Sequence, residues 1–370
     1  MEIRKVVAPL LAALLLGAVG TGIWYSHEQL GAERPAIEQG STRQTVLHGL
    51  IGSEKAAFFA DARVQQVLAG HGLDVVVEKA GSRAIAARFD PQHYDFGFPS
   101  GAPAAAELRR LAGNPNVYTP FYTPLVIASW QPIAAILVAN GIARADADGD
   151  YQLDLKALLA LVGQGRRWRD LPHSEAFATG KSVLPMSTDV RSSNSAAMYL
   201  SLASYLANGE QVVQSGEQLA QVLPQVAPLF LRQGFQESSS ADPFEDYLAL
   251  GMGKAPLLVA YESQLVEFRL RHPQAGGDIA VLYPRPTIYS KHVLVPFTPA
   301  GARLGEALEN DPELRKLAHE YGFRTGGDEH GPRGWREQGV KVPAQLVDVI
   351  EPPSHEWLER LIEGIEQQYR

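Results

Sequence analysis

Between Ser187 and Ser195 the chain reads STDVRSSNS, a run of hydroxyls with Arg191 and Asn194 among them, and apolar residues at helical spacing follow: Ala196, Met198, Tyr199, Leu202 and Leu206. Hydroxyls, a guanidinium fork and the unpaired N–H groups of a first helical turn are the donors that hold a small anion. The same residue types are ordinary helix N-caps, so this turn alone leaves capping and ligand binding both open. Three further turns resemble it: Ser53 in IGSEK, Ser82 in AGSR and Ser100 in GFPSG each end a short apolar run and begin a helical one. Four such turns on one rim would make a pocket of neutral donors. Tyr261, closing the run APLLVAY, could add a phenol hydroxyl or simply pack.

To share a rim, the turns must sit at the carboxyl ends of parallel strands. The patterning predicts strands over 45–52, 73–78 and 94–98, each followed by a hydroxyl turn and a helix, the last over 104–112. Three consecutive units of strand, turn and helix are the grammar of a parallel α/β sheet, whose ligands gather beyond the strand ends. Residues 118–130, YTPFYTPLVIASW, read as extended, because Pro120 and Pro124 exclude a helix interior; this run could carry the chain into a second lobe. Helices are predicted over 133–142, 153–162, 217–233 and 244–251, and a buried strand over 255–261.

Composition excludes several classes. The chain has 370 residues, 45% hydrophobic and 20% charged, enough for two domains. A net charge of -8 and a pI near 5.7 argue against nucleic acid, and no basic run with interleaved aromatics occurs. Absence of cysteine removes disulfides, thiol nucleophiles, zinc ribbons and thiolate-held cofactors. The histidines show no i, i+4 pair for a metal, so neither metal nor cofactor is expected. Asp95, Asp189, His48 and Glu262 could act as acids or bases, but no H-E-x-x-H, G-x-S-x-G or P-loop accompanies them, and no enzyme is predicted.

Both ends carry extra signals. Arg4 and Lys5 precede an uncharged run over 6–25, long enough to cross a bilayer, and this charge bias places everything after it outside the cytoplasm. Its length and its exit through Trp24 and Tyr25 favour a retained anchor over a cleaved leader. Residues 1–25 are thus a signal-anchor or signal peptide, and the polar 26–44 a linker. The acidic ADADGD at 145–150 resembles a calcium loop, but the twelfth position from Asp146 is Ala157 rather than Glu, and it reads as a solvated loop. In the tail, Trp357, Leu358, Leu361, Ile362 and Ile365 form one helical face, to be covered by the nearer lobe or by a partner protein.

The order of these parts, GS, AGSR, GFPSG, a crossover near Leu125, STDVRSSNS, LVAYES, then a return strand within 278–297 and closing helices over 299–323, resembles the type II periplasmic solute-binding proteins, nearest the molybdate and sulfate binders. The resemblance implies two α/β lobes joined by a hinge, one from 45–123 with 291–370 and the other from 124–290. It implies an exported protein at the inner membrane or in the periplasm that captures a small anionic solute for an ABC-type permease. Ligand roles are implied for Ser53, Ser82, Ser187 and Tyr261, with Ser100, Thr188 and Arg191 beside them. Arg83 and Arg191 depart from a purely hydroxyl pocket; pointing inward, they would grip a carboxylate or phosphate. A membrane-anchored sensor or scaffold domain is the alternative the same architecture permits.

Overall fold

The computed structural model describes residues 44–145, 151–234, 236–326 and 330–369. The expected membrane span, nearly all of the linker and the acidic stretch 146–150 lie outside them. Strand β1 (Thr45–Ile51) ends in a turn at Ser53–Lys55 that leads to helices α1 (Ala56–Ala60) and α2 (Ala62–Gly70). The unit then repeats, with β2 (Leu73–Lys79) running into α3 (Ser82–Ala87) and β3 (Phe96–Phe98) into α4 (Ala102–Leu111). β1 lies between β2 and β3, parallel to both. All three hydroxyl turns therefore emerge on one rim, as the repeating sequence pattern requires.

β4 (Tyr118–Trp130) is a 13-residue strand that serves two sheet regions. A register shift between Tyr118 and Phe121 accommodates Pro120, which has no N–H to give the ladder. Beyond it come α5 (Gln131–Ala139), β5 (Ala143–Ala145), β6 (Tyr151–Asp154), α6 (Leu155–Gly163), α7 (Asn194–Ala207), α8 (Gly216–Val226), α9 (Pro228–Leu231), α10 (Ala241–Leu250), β7 (Leu257–Tyr261), α11 (Glu262–Arg271) and β8 (Ile279–Arg285). β9 (Thr287–Pro296) then returns, followed by α12 (Pro299–Asn310) and α13 (Pro312–Glu320). The single return strand expected over 278–297 is in fact two, divided at Pro286: β8 pairs with β6 and β4, and β9 with β3 and β4.

The sheet order is β2-β1-β3-β9-β4-β8-β6-β5, with β7 paired to β4. Up to Pro124, β4 pairs with β9; from Leu125 it pairs with β7, and from Ile127 also with β8. Two large apolar clusters flank this change of partner. One joins β1, β3, α1, α2, α12 and α13 through Phe58, Phe98, Phe121, Leu304, Leu317 and Phe323. The other gathers Leu125, Ile127, Tyr199, Leu202, Val222, Phe230 and Leu282. Each fully buried Leu, Ile or Phe among them stabilises by roughly 1.5–3 kcal/mol.

The tail adds α14 (His330–Glu337), β10 (Val349–Ile350), which pairs with β9, and α15 (His355–Glu366). Leu358, Leu361, Ile362 and Ile365 of α15 are buried in the second cluster, against α7 and α8, while Trp357 is half-buried. Glu359, on the same helix, reaches Arg83 of α3 in a bidentate pair with contacts of 2.5–2.9 Å. The tail, expected beside the first lobe, thus buries its apolar face in the second cluster against α7 and α8, while its charged edge reaches α3.

Candidate functional site

A cavity of about 400 Å³ opens where the carboxyl ends of β1 and β2 face the starts of α7 and α10 and the end of β7. Ser53, Ser82, Arg191 and Tyr261, four of the expected ligand residues, line it, together with Asn194, Ser192, Ser193 and the Ser238, Ser239 and Ser240 run. Its two walls meet directly. Ser53 Oγ lies 3.1 Å from Ser239 Oγ, and Asn194 Nδ2 lies within hydrogen-bond distance of Ser100 O, Tyr261 Oη and Ser290 Oγ at 2.9, 3.0 and 3.2 Å. Gly81 has to be glycine here, since a Cβ would collide with the Ser192 carbonyl.

Asp61, Asp154, Ser215, Thr298, Asp311 and Ser354 each cap a helix with a side-chain oxygen. At the cavity, the N-cap residues of α3, α7 and α10 make no side-chain cap, as at α1, α4, α5 and α9, and at α10 Ser239 Oγ accepts from the Ala241 N–H at 3.2 Å instead. Ser193 occupies the N-cap position of α7, yet its hydroxyl turns to Ser195 Oγ at 3.0 Å. The first-turn N–H groups there keep the donor capacity that a capping serine would have taken. Ser192 Oγ, on the same turn, is buried without a hydrogen-bond partner among the described residues.

The remaining expected residues sit elsewhere. Ser187 and Thr188 are buried behind the turn, where Thr188 Oγ1 lies 2.8 Å from Ser195 Oγ and the Ser187 N–H donates to Gln233 Oε1 at 2.6 Å. Neither lines the cavity. Ser100 lies beneath the floor, holding a cluster that sequence patterning did not suggest. The Lys55 ammonium, fully buried, donates its three protons to Glu54 Oε1 at 2.5 Å, Ser100 Oγ at 2.8 Å and His292 Nδ1 at 3.2 Å, and Ser100 Oγ donates to Glu54 Oε1. Burial pushes the Glu54 carboxyl upward, but the Lys55 charge and the two hydrogen bonds outweigh it and hold the pKa at about 2. Burial, reinforced by Lys55, pushes His292 well below the usual imidazole range, so it stays neutral with its proton on Nε2. The one sequence clue was a charged pair, Glu54-Lys55, directly after a strand end.

Neither arginine offers a free fork. Arg191 pairs with Asp189 at 2.5 Å and stacks on Tyr369, its Cζ 4.8 Å from the ring centroid. Arg83 is held by Glu359 and donates to the Arg191 carbonyl at 2.7 Å. The candidate acids are likewise engaged: Asp95 accepts from the His48 N–H and from Thr298 Oγ1, and Glu262 pairs with Arg324. Among the described residues no group of three or more His, Asp or Glu could hold a metal ion.

Solved structures share this fold at low sequence identity. A periplasmic thiamin-binding protein superposes with a TM-score of 0.60 at 11% identity, covering 91% of this chain and 100% of that one. The chain has the type II periplasmic solute-binding fold. The periplasmic binding protein AfuA from Actinobacillus pleuropneumoniae, with exogenous fructose-6-phosphate bound, matches at a TM-score of 0.54 and 11% identity over 87% of this chain and 98% of its own. The sulfate-binding protein SubI from Mycobacterium tuberculosis H37Rv matches at 0.49 and 16% over 82% and 94%. No protein family model matches the chain, and no curated protein matches its sequence. Within the solute-binding fold the cavity occupies the seam between the two clusters, where the sheet changes partners at Pro124.

Proposed function

We propose that this chain is an exported solute-binding protein that captures a small solute bearing an anionic group in the cavity between two lobes and presents it to an ABC-type permease. The lobes comprise 45–123 with 291–370, and 124–290, hinged where β4 and β9 cross at Thr123, Pro124, Tyr289 and Ser290. Residues 6–25 would keep the protein at the inner membrane, its folded part in the periplasm. The observation that carries this reading is the cavity itself: hydroxyls from both walls converge with the starts of α3 and α7, whose N-caps leave their first-turn N–H groups without a side-chain acceptor. Neither wall alone replaces the hydration of a charged group, so a ligand touching both favours the closed arrangement by differential affinity.

A thermal-shift screen of carboxylates, phosphates and oxyanions tests it, since a ligand at 100 times its Kd stabilises by about 2.7 kcal/mol. A hit should lose about ten- to a hundredfold in affinity in Ser53→Ala and in Ser82→Ala, as expected for a lost hydrogen bond to a charged group of roughly 1.5–3 kcal/mol. Binding as tight as in the parent would place the site elsewhere.

The tail favours a second reading, a membrane-anchored ligand sensor without a transport role. Arg83 and Glu359 join α3 to α15, which is rooted in the other cluster, and this linkage resists the opening that delivery to a permease requires. Ligand-dependent stimulation of a permease ATPase would decide for transport.

A further inference from the structure

Glu54 differs from every other acid near the cavity. Its side chain is only 9% exposed, yet the protein satisfies one oxygen alone: Oε1 receives Lys55 and Ser100, while Oε2 has no hydrogen-bond partner among the described residues and Glu54 lines the cavity. A carboxylate oxygen held there in a weakly screened site attracts a donor and repels an acceptor. The ammonium that neutralises Glu54 is wholly buried behind it, so a solute meets the negative end of the ion pair first.

The other lining charges are Lys79, Arg83, Arg191 and Asp242. Arg83 and Arg191 are neutralised by Glu359 and Asp189. Lys79 at the end of β2 and Asp242 in the first turn of α10 have no ion partner among the described residues. The wall at the ends of β1 and β2 therefore carries Lys79 together with the Glu54 oxygen, and the facing wall carries Asp242 together with the open start of α7, so each wall offers one feature of either sign. A fully deprotonated oxyanion has no proton to give Glu54; a solute with a charge of each sign matches both sides.

We infer that the solute is a small zwitterion, an amino-bearing acid whose ammonium group binds Glu54 Oε2 while its anionic group lies toward the start of α7 and Lys79. This rests on the cavity being the solute site. Glu54 is then the residue that excludes sulfate-like anions, and Lys55, Ser100 and His292 fix its position from below.

The test is calorimetry and thermal shift on the purified full-length chain with three probe sets: the α-amino acids, the oxyanions sulfate, molybdate and orthophosphate, and neutral hexoses. At least one amino acid should bind, with at least a tenfold loss in Glu54→Gln, while sulfate and molybdate leave the parent unmoved. Because Glu54→Gln leaves Lys55 buried without its counter-charge, the double variant Glu54→Gln/Lys55→Met, which removes both charges, is measured alongside and should show the same loss. Sulfate or molybdate binding that survives in these variants would overturn the zwitterion assignment and leave the solute-binding role standing, as would binding by a hexose alone. An amino acid bound equally well by parent and both variants also overturns it. If none of the three sets binds, the solute-binding reading falls with it.

Discussion

Replacing Arg324 with methionine should be among the most damaging single changes in the molecule. Arg324 is 2% exposed and Glu262 is 1% exposed. The guanidinium donates to Glu262 Oε1 at 2.7 Å and Oε2 at 2.8 Å, and to the carbonyls of Ala344 at 3.2 Å and Pro343 at 2.9 Å. In Arg324→Met, Glu262 is left buried with Tyr283 Oη, at 2.9 Å, as its remaining side-chain donor, and two carbonyls lose their partner. Breaking a buried pair in this way costs about 3–5 kcal/mol. Removing both charges in Glu262→Leu/Arg324→Met relieves the stranded carboxylate, so the double variant should be more stable than Arg324→Met by at least about 1 kcal/mol. Urea denaturation followed by tryptophan fluorescence reads this out, with Trp335 as a local reporter because its ring centroid is 5.9 Å from the guanidinium carbon. Glu262 directly follows Tyr261 at the cavity, so ligand affinity should fall in the single variant as well. Two single variants each costing under about 1 kcal/mol, or a double variant costing the sum of the two, would refute the reasoning.

Stability should fall as the pH drops below about 6.5, the ordinary imidazole value, because the unfolded chain takes up a proton at His292 that the folded chain, with its depressed pKa, refuses; the slope is at most about 1.4 kcal/mol per pH unit. His292→Gln should flatten the dependence of the urea midpoint between pH 6.5 and 5, and an unchanged slope would show that other groups cause it. On α15, Leu361→Ala should cost about 2–5 kcal/mol, since Leu361 is 0% exposed within the second cluster. Glu359→Ala should cost no more than about 1 kcal/mol, because its pair with Arg83 is partly solvated. Equal thermal shifts for these two variants would mean that α15 is not held by its apolar face.

Local signals dictated much of the framework. The units leading to α2, α3 and α4 were legible because each joins an apolar strand to a hydroxyl turn and an amphipathic helix, and every link in that pattern is short in sequence. The run at 118–130 declared itself extended through its prolines, and the apolar face of α15 through its 3.6-residue period. Of the site, Ser53, Ser82 and Tyr261 were legible for the same reason: each stands at a strand end whose direction the local pattern sets.

Tertiary packing decided the charges. Nothing within a few residues of Arg83 announces Glu359, 276 positions away, and nothing near Lys55 announces His292, 237 positions away. A charged side chain takes whichever partner the fold brings to it, because leaving it buried and unpaired costs several kcal/mol. For Arg83 and Arg191 that partner was an acid of the protein. Ser187 and Thr188 turned inward because the bridge from Met186 to Leu258 extends the sheet beneath them and fixes which way the following backbone faces. Sequence supplied the hydroxyls, the strand ends and the local pairs Glu54–Lys55 and Arg191–Asp189; contacts between distant segments, Glu359 with Arg83 and His292 with Lys55, decided how those charges are held around the cavity, because a chain reaches such partners only once it is folded.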